Sequence, residues 1–159
     1  MELTVINPGP IYGPTITGDL SGASMSMVRD MITGKVPMLP NANYVMSDVR
    51  DIAQIHVQAM ENDQSNGQRF IVTSEKPYSF LGVASILKEN GYEKANPKKA
   101  PSFMLKFLSI FSSEMKGMLP FVDSMVSADI SPTKNTFNWQ PIPFEKTIVD
   151  TAKSIQSLL

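Results

Sequence analysis

Leu3-Thr4-Val5-Ile6-Asn7-Pro8-Gly9-Pro10-Ile11-Tyr12-Gly13-Pro14 is the stretch whose reading decides the fold. Leu3 to Ile6 is apolar and β-branched without polar alternation. That is the pattern of a short buried strand in a parallel sheet covered on both faces. Asn7-Pro8-Gly9-Pro10 stops it, because proline cannot donate to a ladder and the adjacent glycine permits an unusual turn. A loop rich in Gly, Pro, Thr and Ser follows through Gly22.

Outward from this strand the chain reads as helices with one more strand. Met25 to Ile32 has helical spacing of Met25, Val28, Met31 and Ile32, and Gly34 is its stop. After a Pro-containing loop at 36–43 and a short extended piece at 44–46, Ser47 and Asp48 look like a helix start that accepts hydrogen bonds from the orphan amides of the first turn. That helix runs to about Met60, with Val49, Ile52, Ala53, His56, Ala59 and Met60 on one face. Arg69 to Thr73 is the second strand. Ser79 to Asn90 is a helix stopped by Gly91. The stretch from Ser102 to about Ser112 is apolar on most sides, from Phe103 through Phe107 and Ile110 to Phe111, and reads as core or contact between two lobes. Ser131-Pro132 offers an N-cap followed by an N1 proline for a short helix. Phe137-Asn138-Trp139-Gln140-Pro141 reads as a turn before a last helix from Phe144 to about Leu158. Two parallel strands do not make a stable sheet in water by themselves, so a partner or further chain is expected to complete it.

Composition bounds the function. The 159 residues carry 14 Lys plus Arg against 15 Asp plus Glu, a formal net charge of −1. No basic block stands out, so no nucleic-acid partner is expected. The absence of cysteine excludes a disulfide framework and a thiolate metal site, and a single histidine, His56, excludes a histidine cluster. No metal site is therefore expected, and the cysteine count fits a cytoplasmic protein. No apolar run approaches the roughly 18 to 20 residues of a membrane span, and no signal peptide opens the chain, so no membrane partner is expected.

Four motifs recur in order: Asn7 to Pro14 after a strand; Ser47-Asp48-Val49-Arg50-Asp51-Ile52-Ala53 opening a helix; Gly67-Gln68-Arg69-Phe70-Ile71-Val72; and Lys134 with Phe137-Asn138-Trp139-Gln140-Pro141 before the amphipathic last helix. Together they resemble the C-terminal half of the extended short-chain dehydrogenase/reductases. They look most like the dihydroflavonol-4-reductase and aldehyde-reductase branch, which borders on NAD(P)-dependent epimerases and dehydratases. The resemblance implies an α/β fold. Residues 1–159 would form the C-terminal, mostly helical substrate-binding part, together with the last strands of a Rossmann sheet at about 3–6 and 69–73. The N-terminal dinucleotide-binding part would lie outside the chain.

In that family a tyrosine in a Tyr-x-x-x-Lys pair is the general acid, and a Gly-rich turn holds NADP or NAD. Here no two glycines stand three apart, and none of Tyr12, Tyr44, Tyr78 and Tyr92 has a lysine four residues on. No catalytic residue is therefore assigned, and no tight binding of the dinucleotide by this chain alone is expected. The resemblance places Pro8 and Gly9 beside the nicotinamide ring and Ser24 near the cofactor amide. The residues after Pro14 and the helix from Met25 would line a pocket for a small carbonyl substrate.

Ser24 reads equally as a helix N-cap. Asp48, Arg50 and Asp51 read as a cap plus a structural ion pair joining two lobes. His56 reads as a core residue and Trp139 as a packing anchor. The expected activity is that of the substrate-binding half of an NAD(P)H-dependent reductase, inactive by itself. The alternatives are part of a nucleotide-sugar epimerase or dehydratase, and a non-catalytic remnant. The open strand edges favour a homodimer.

Overall fold

The computed structural model describes residues 2–124 and 126–159; Met1, Met125 and the side chains of Leu108, Glu114 and Met115 lie outside the described set. The chain is α/β. Strand β1 (Val5–Pro8) and β5 (Arg69–Val72) pair in parallel, Val5 opposite Arg69 and Pro8 opposite Val72. Between them lie β2 (Ile11–Tyr12), helix α1 (Ala23–Thr33), β3 (Asn43–Tyr44), β4 (Ser47–Asp48) and helix α2 (Val49–Glu61). β6 (Tyr78–Ser79), α3 (Phe80–Glu89), α4 (Ser102–Phe111), α5 (Ser113–Met118), α6 (Ser131–Phe137) and α7 (Phe144–Gln156) follow. Strand β2 pairs with β4 in parallel, and β3 with β6 antiparallel.

The helices start and stop for local reasons. Gly34 takes the left-handed conformation at φ 79° and ends α1, its amide bonding back to the last turn. Asp48 caps α2 by accepting from the Arg50 amide, and Ser79 caps α3 by accepting from the Gly82 amide. Asn138 takes a left-handed φ of 45° to end α6. The last helix buries Phe144, Ile148, Ala152 and Ile155 on one face, at the three- and four-residue spacing of an amphipathic helix.

Two apolar clusters result. One, around Met31, Leu87, Phe144 and Ile148, packs α1, α3 and α7 together. The other, around Ile55, Phe70, Phe137 and Trp139, packs α2 and α6 against β5. Phe70 and Phe137 meet edge to face at 4.6 Å between ring centroids.

Several expectations change. The first strand lies two residues later than expected, at Val5–Pro8, with Leu3 exposed and Val5 and Ile6 only half-buried. Among the described residues β1 has one ladder partner, β5, so its other edge and much of its surface stay open. The N-cap of α6 is Ile130 rather than Ser131, whose amide instead donates to Asp129. Phe103, Phe107, Ile110 and Phe111 of α4 are exposed rather than core. Among the described residues no helix is long and apolar enough to cross a membrane.

Candidate functional site

The carboxyl ends of β1 and β5 lie side by side, and the chain turns sharply after each. Ser47 holds them together. Its hydroxyl accepts from the Gly9 amide at 2.9 Å and donates to the Val72 carbonyl at 2.6 Å. Its own amide donates to the Pro10 carbonyl at 2.9 Å. Two residues beyond Val72, Ser74 clasps the same region: its amide donates to the Met46 carbonyl and its hydroxyl accepts from the Met46 amide. Sequence reading took Ser47 for part of a helix start; its clasp role carries no local sequence signal, because both partners are distant in the chain.

Gly9 is glycine because the backbone of another segment occupies the place of a side chain. A Cβ there would stand 2.0 Å from the Val45 carbonyl oxygen. Pro8, beside it, is exposed at the carboxyl end of the sheet, while Gly9 is half-buried. In open α/β sheets this end is where ligands bind. Ser24 is the second residue of α1 and half-buried; the cap position belongs to Gly22, so the N-cap reading of Ser24 is not met.

Downstream the chain turns on Gly13, at φ 138°, whose amide donates to Thr151 of α7 at 2.8 Å. The Thr15 amide donates to Ser154 at 2.9 Å. Both bonds fix the loop that leads from the strand end toward α1. Tyr12 is buried there, edge to face with Phe144 at 5.9 Å. Burial pushes its phenol up to about 12, with the Ser24 hydroxyl offsetting part of the effect. Tyr78 is pushed up to about 12 by burial and by the Glu145 carboxylate. Tyr44 and Tyr92 are also raised by burial. Burial thus favours the protonated phenol at each of the four tyrosines.

The helix-start carboxylates are structural. Arg50 forms a two-pronged bond to Asp48, at 2.9 Å and 2.6 Å, and reaches Asp150 of α7 at 2.8 Å. Thr147 of α7 donates to the same Asp48 carboxylate at 2.7 Å. Burial opposes the Asp48 charge, but the donors from Arg50 and Thr147 outweigh it and hold its carboxyl below the usual range. Asp51 accepts from the Trp139 indole at 3.0 Å and from the Ile142 amide at 2.9 Å, so it pins the turn that precedes α7. Burial raises the Asp51 carboxyl despite these donors.

The cap and the ion pair joining two parts of the fold are thus both present, and Trp139 is the buried anchor expected. His56 departs from expectation. It is exposed, and its ring Nδ1 donates to the Ile52 carbonyl of its own helix at 2.7 Å.

Parallel strands with a Pro-Gly turn at their carboxyl end, and a helical lobe packed beside them, are similar to part of the extended short-chain dehydrogenase/reductases, the reductases and epimerases found as relatives of this chain in sequence and in structure. A Candida albicans protein named for NADPH-dependent methylglyoxal reduction is 25% identical over 142 residues, covering 81% of this chain and 41% of that protein. A cinnamoyl-CoA reductase of Medicago truncatula is 30% identical over 89 residues, 56% of this chain and 26% of the relative. The solved structure of yeast methylglyoxal/isovaleraldehyde reductase with NADPH superposes with a TM-score of 0.73 at 23% identity, over 99% of this chain and 47% of that one. UDP-glucose 4-epimerase of Thermotoga maritima matches at 0.71 and 18% identity, over 99% and 47%.

The chain therefore spans less than half the length of these relatives. No family model matches it.

Proposed function

We propose that the chain forms the substrate-side part of an NAD(P)H-dependent reductase acting on small carbonyl compounds of the aldehyde or dihydroflavonol kind. The observation that carries this reading is the end of β1, where exposed Pro8 and the Gly9 pinned by Ser47 stand at the carboxyl edge of two parallel strands. Pro8 and Gly9 form a wall against the nicotinamide, and Ser24 faces the cofactor amide. The loop after Pro14 and helix α1 line the substrate pocket. Residues 1–159 act as one substrate-binding part that includes the last strands of the sheet. The residues present fit one face of a dinucleotide, since Pro8 is accessible; the phosphate-cradling Gly-x-x-Gly pattern is not among them. When bound, the dinucleotide supplies the hydride. The proton donor comes from a separate segment, in a cytoplasmic setting that a cysteine-free chain suits.

The chain alone is expected to leave NADPH unoxidised in the presence of aromatic or aliphatic aldehydes, followed by nicotinamide absorbance. Clear turnover would contradict the assignment of the proton donor to another segment. The coding sequence immediately upstream supplies the complementary test. A Tyr-x-x-x-Lys pattern in frame there supports the reading, and an unrelated sequence counts against it. The nucleotide-sugar epimerase reading draws on fold likeness to UDP-glucose 4-epimerase. The reductase reading leads because the sequence relatives are named as reductases.

A third element of the reading is self-association. The open edge of β1 flanks a hollow of about 440 Å³ lined by Leu3, His56 and Met60, with Leu3 and Met60 strongly exposed. An open strand edge beside exposed apolar groups favours pairing with a second copy. Light scattering of the chain at micromolar concentration is expected to give the mass of a dimer. A monodisperse monomer would rule the dimer out.

A further inference from the structure

Helix α7 carries a second stripe beside its apolar one. Thr147, Thr151 and Ser154 follow at four- and three-residue spacing, so they lie within about 60° of one another, next to Phe144, Ile148 and Ile155. Thr147 and Thr151 are 1% and 0% exposed. A buried hydroxyl is costly unless it is bonded, and valine would fill the same space without one. Each of these hydroxyls is bonded. Thr147 Oγ1 donates to the Asp48 carboxylate at 2.7 Å. Thr151 Oγ1 donates to the Thr147 carbonyl at 2.7 Å, which commits its one proton and leaves its lone pairs to the Gly13 amide at 2.8 Å. About one turn further along, Ser154 Oγ accepts from the Thr15 amide at 2.9 Å.

The stripe therefore references the whole strand-end segment to one helix. At the start of that segment Gly9 is held by Ser47, whose neighbour Asp48 receives Thr147. Gly13 is wedged between Thr151 and the start of α2, where a Cβ would stand 2.5 Å from Val49 Cγ1. Beyond Thr15 the chain runs out into solvent at Ile16 and Thr17, both exposed, before Ser26 of α1 takes hold of the Leu20 carbonyl at 3.0 Å. Docking of α7 does not require these hydroxyls, because Phe144, Ile148, Ala152 and Ile155 already bury its apolar face. Two of the three aim instead at backbone amides of one loop.

We infer that Thr151 and Ser154 are positioning residues, which set where the loop after Pro14 stands and so the shape that the substrate pocket presents to a small carbonyl compound. The inference rests on the reading of that loop as a wall of the pocket. Fixing the base of the loop while its tip stays free places the wall before the ligand arrives, which lowers the ordering cost of binding.

Amide hydrogen exchange and amide chemical shifts of the whole chain test this, with benzyl alcohol, the unreactive reduction product of an aromatic aldehyde, as the probe. In Thr151→Val the Gly13 amide is expected to exchange about tenfold faster relative to the Leu87 amide in the core of α3, from the loss of one buried hydrogen bond. Thr151→Ser, which keeps the hydroxyl, should restore the ratio. Ser154→Ala should act in the same way on the Thr15 amide, and at a half-buried position it leaves the fold intact even where Thr151→Val does not. Benzyl alcohol at millimolar concentration is expected to shift the amides between Thr15 and Asp19 in the unmodified chain and in Thr151→Ser, and to shift them about half as far or less in Thr151→Val. Gly13 and Thr15 amides that stay in step with Leu87 in Thr151→Val and Ser154→Ala overturn the positioning role, whatever the alcohol does. Faster exchange with undiminished alcohol shifts overturns the link from loop to pocket. A loop that the alcohol leaves unshifted in the unmodified chain overturns instead the reading of that loop as a pocket wall.

Discussion

Gly9→Ala is expected to cost about 3 kcal/mol of folding stability, the range of overpacking against a rigid neighbour. The new Cβ would fall 2.0 Å from the Val45 carbonyl oxygen and 3.1 Å from the carbonyl carbon. Both are backbone atoms, so no rotamer change relieves the clash. Nor can Gly9 slide away freely, because its amide is held by Ser47, and Ser47 in turn is held by Val72. Relief requires separating the 45–47 segment from the strand ends, which breaks the clasp and leaves the Val72 carbonyl without its donor. The cost follows from close approach rather than backbone dihedral, since Gly9 is not among the glycines with positive φ. Gly22→Ala is the control. Nothing lies within 4 Å of a Cβ there, and Gly22 has an ordinary extended backbone, so the change should cost no more than about 1 kcal/mol, from putting alanine in place of glycine at the cap of α1. Urea midpoints of the two variants check both numbers. Equal midpoints would remove the argument that Gly9 is fixed by Val45.

What was legible in the sequence was what local chemistry decides. Gly34 stops α1, Asp48 opens α2 and Ser79 opens α3, because a left-handed residue or a hydroxyl or carboxylate cap acts within one turn. The last helix was legible from its spacing alone. Ser47 shows the opposite case: it looked like one more polar residue at a helix start, and its partners lie 38 and 25 positions away. The pairs β2–β4 and β3–β6 contain only two residues per strand, too few for any period to register.

Helix α4 was legible only as core or contact between lobes, and its exposure removes the first of these. Apolar content predicts burial only when something is there to bury against, and α4 offers more apolar side chains than its neighbours cover. At the candidate site, Pro8 and Gly9 were legible as a strand end. Their exposure and pinning were not, since both depend on where 45–47 packs. Ser24 was ambiguous from sequence because a serine near a helix start suits either a cap or a ligand contact, and the structure removes the first of these.

Asp48 is where charge and fold are coupled most tightly, and acid is expected to expose it. Its carboxylate caps α2, binds Arg50 and receives Thr147, so it ties α2 to α7 at a point with almost no solvent contact. Its folded-state pKa lies below the ordinary value, because the Arg50 and Thr147 donors outweigh burial. A depressed carboxyl contributes stability that is fully present above its unfolded pKa of about 4 and is lost as pH falls through the folded value. Asp150 acts in the same direction, lowered by Lys146 and Arg50 against a burial penalty. Asp51 acts in the opposite direction. Burial raises its pKa, so it favours the folded state in acid and weakens it as pH rises through the folded value.

Asp48→Asn separates these contributions, since asparagine is as good a cap but carries no charge. Near neutral pH the substitution is expected to cost about 2 kcal/mol, below the usual range for breaking a buried pair because Arg50 keeps Asp150 and part of its own hydration. Asp48→Ala, which also removes the cap, should cost about 1 kcal/mol more. The diagnostic is the pH dependence. Between about pH 5 and pH 2 the unmodified chain should lose stability faster than Asp48→Asn, so that the two denaturation curves converge in acid. Curves that stay parallel would mean that the Asp48 charge contributes nothing beyond its cap, and that α2 and α7 are held together by their apolar contacts alone.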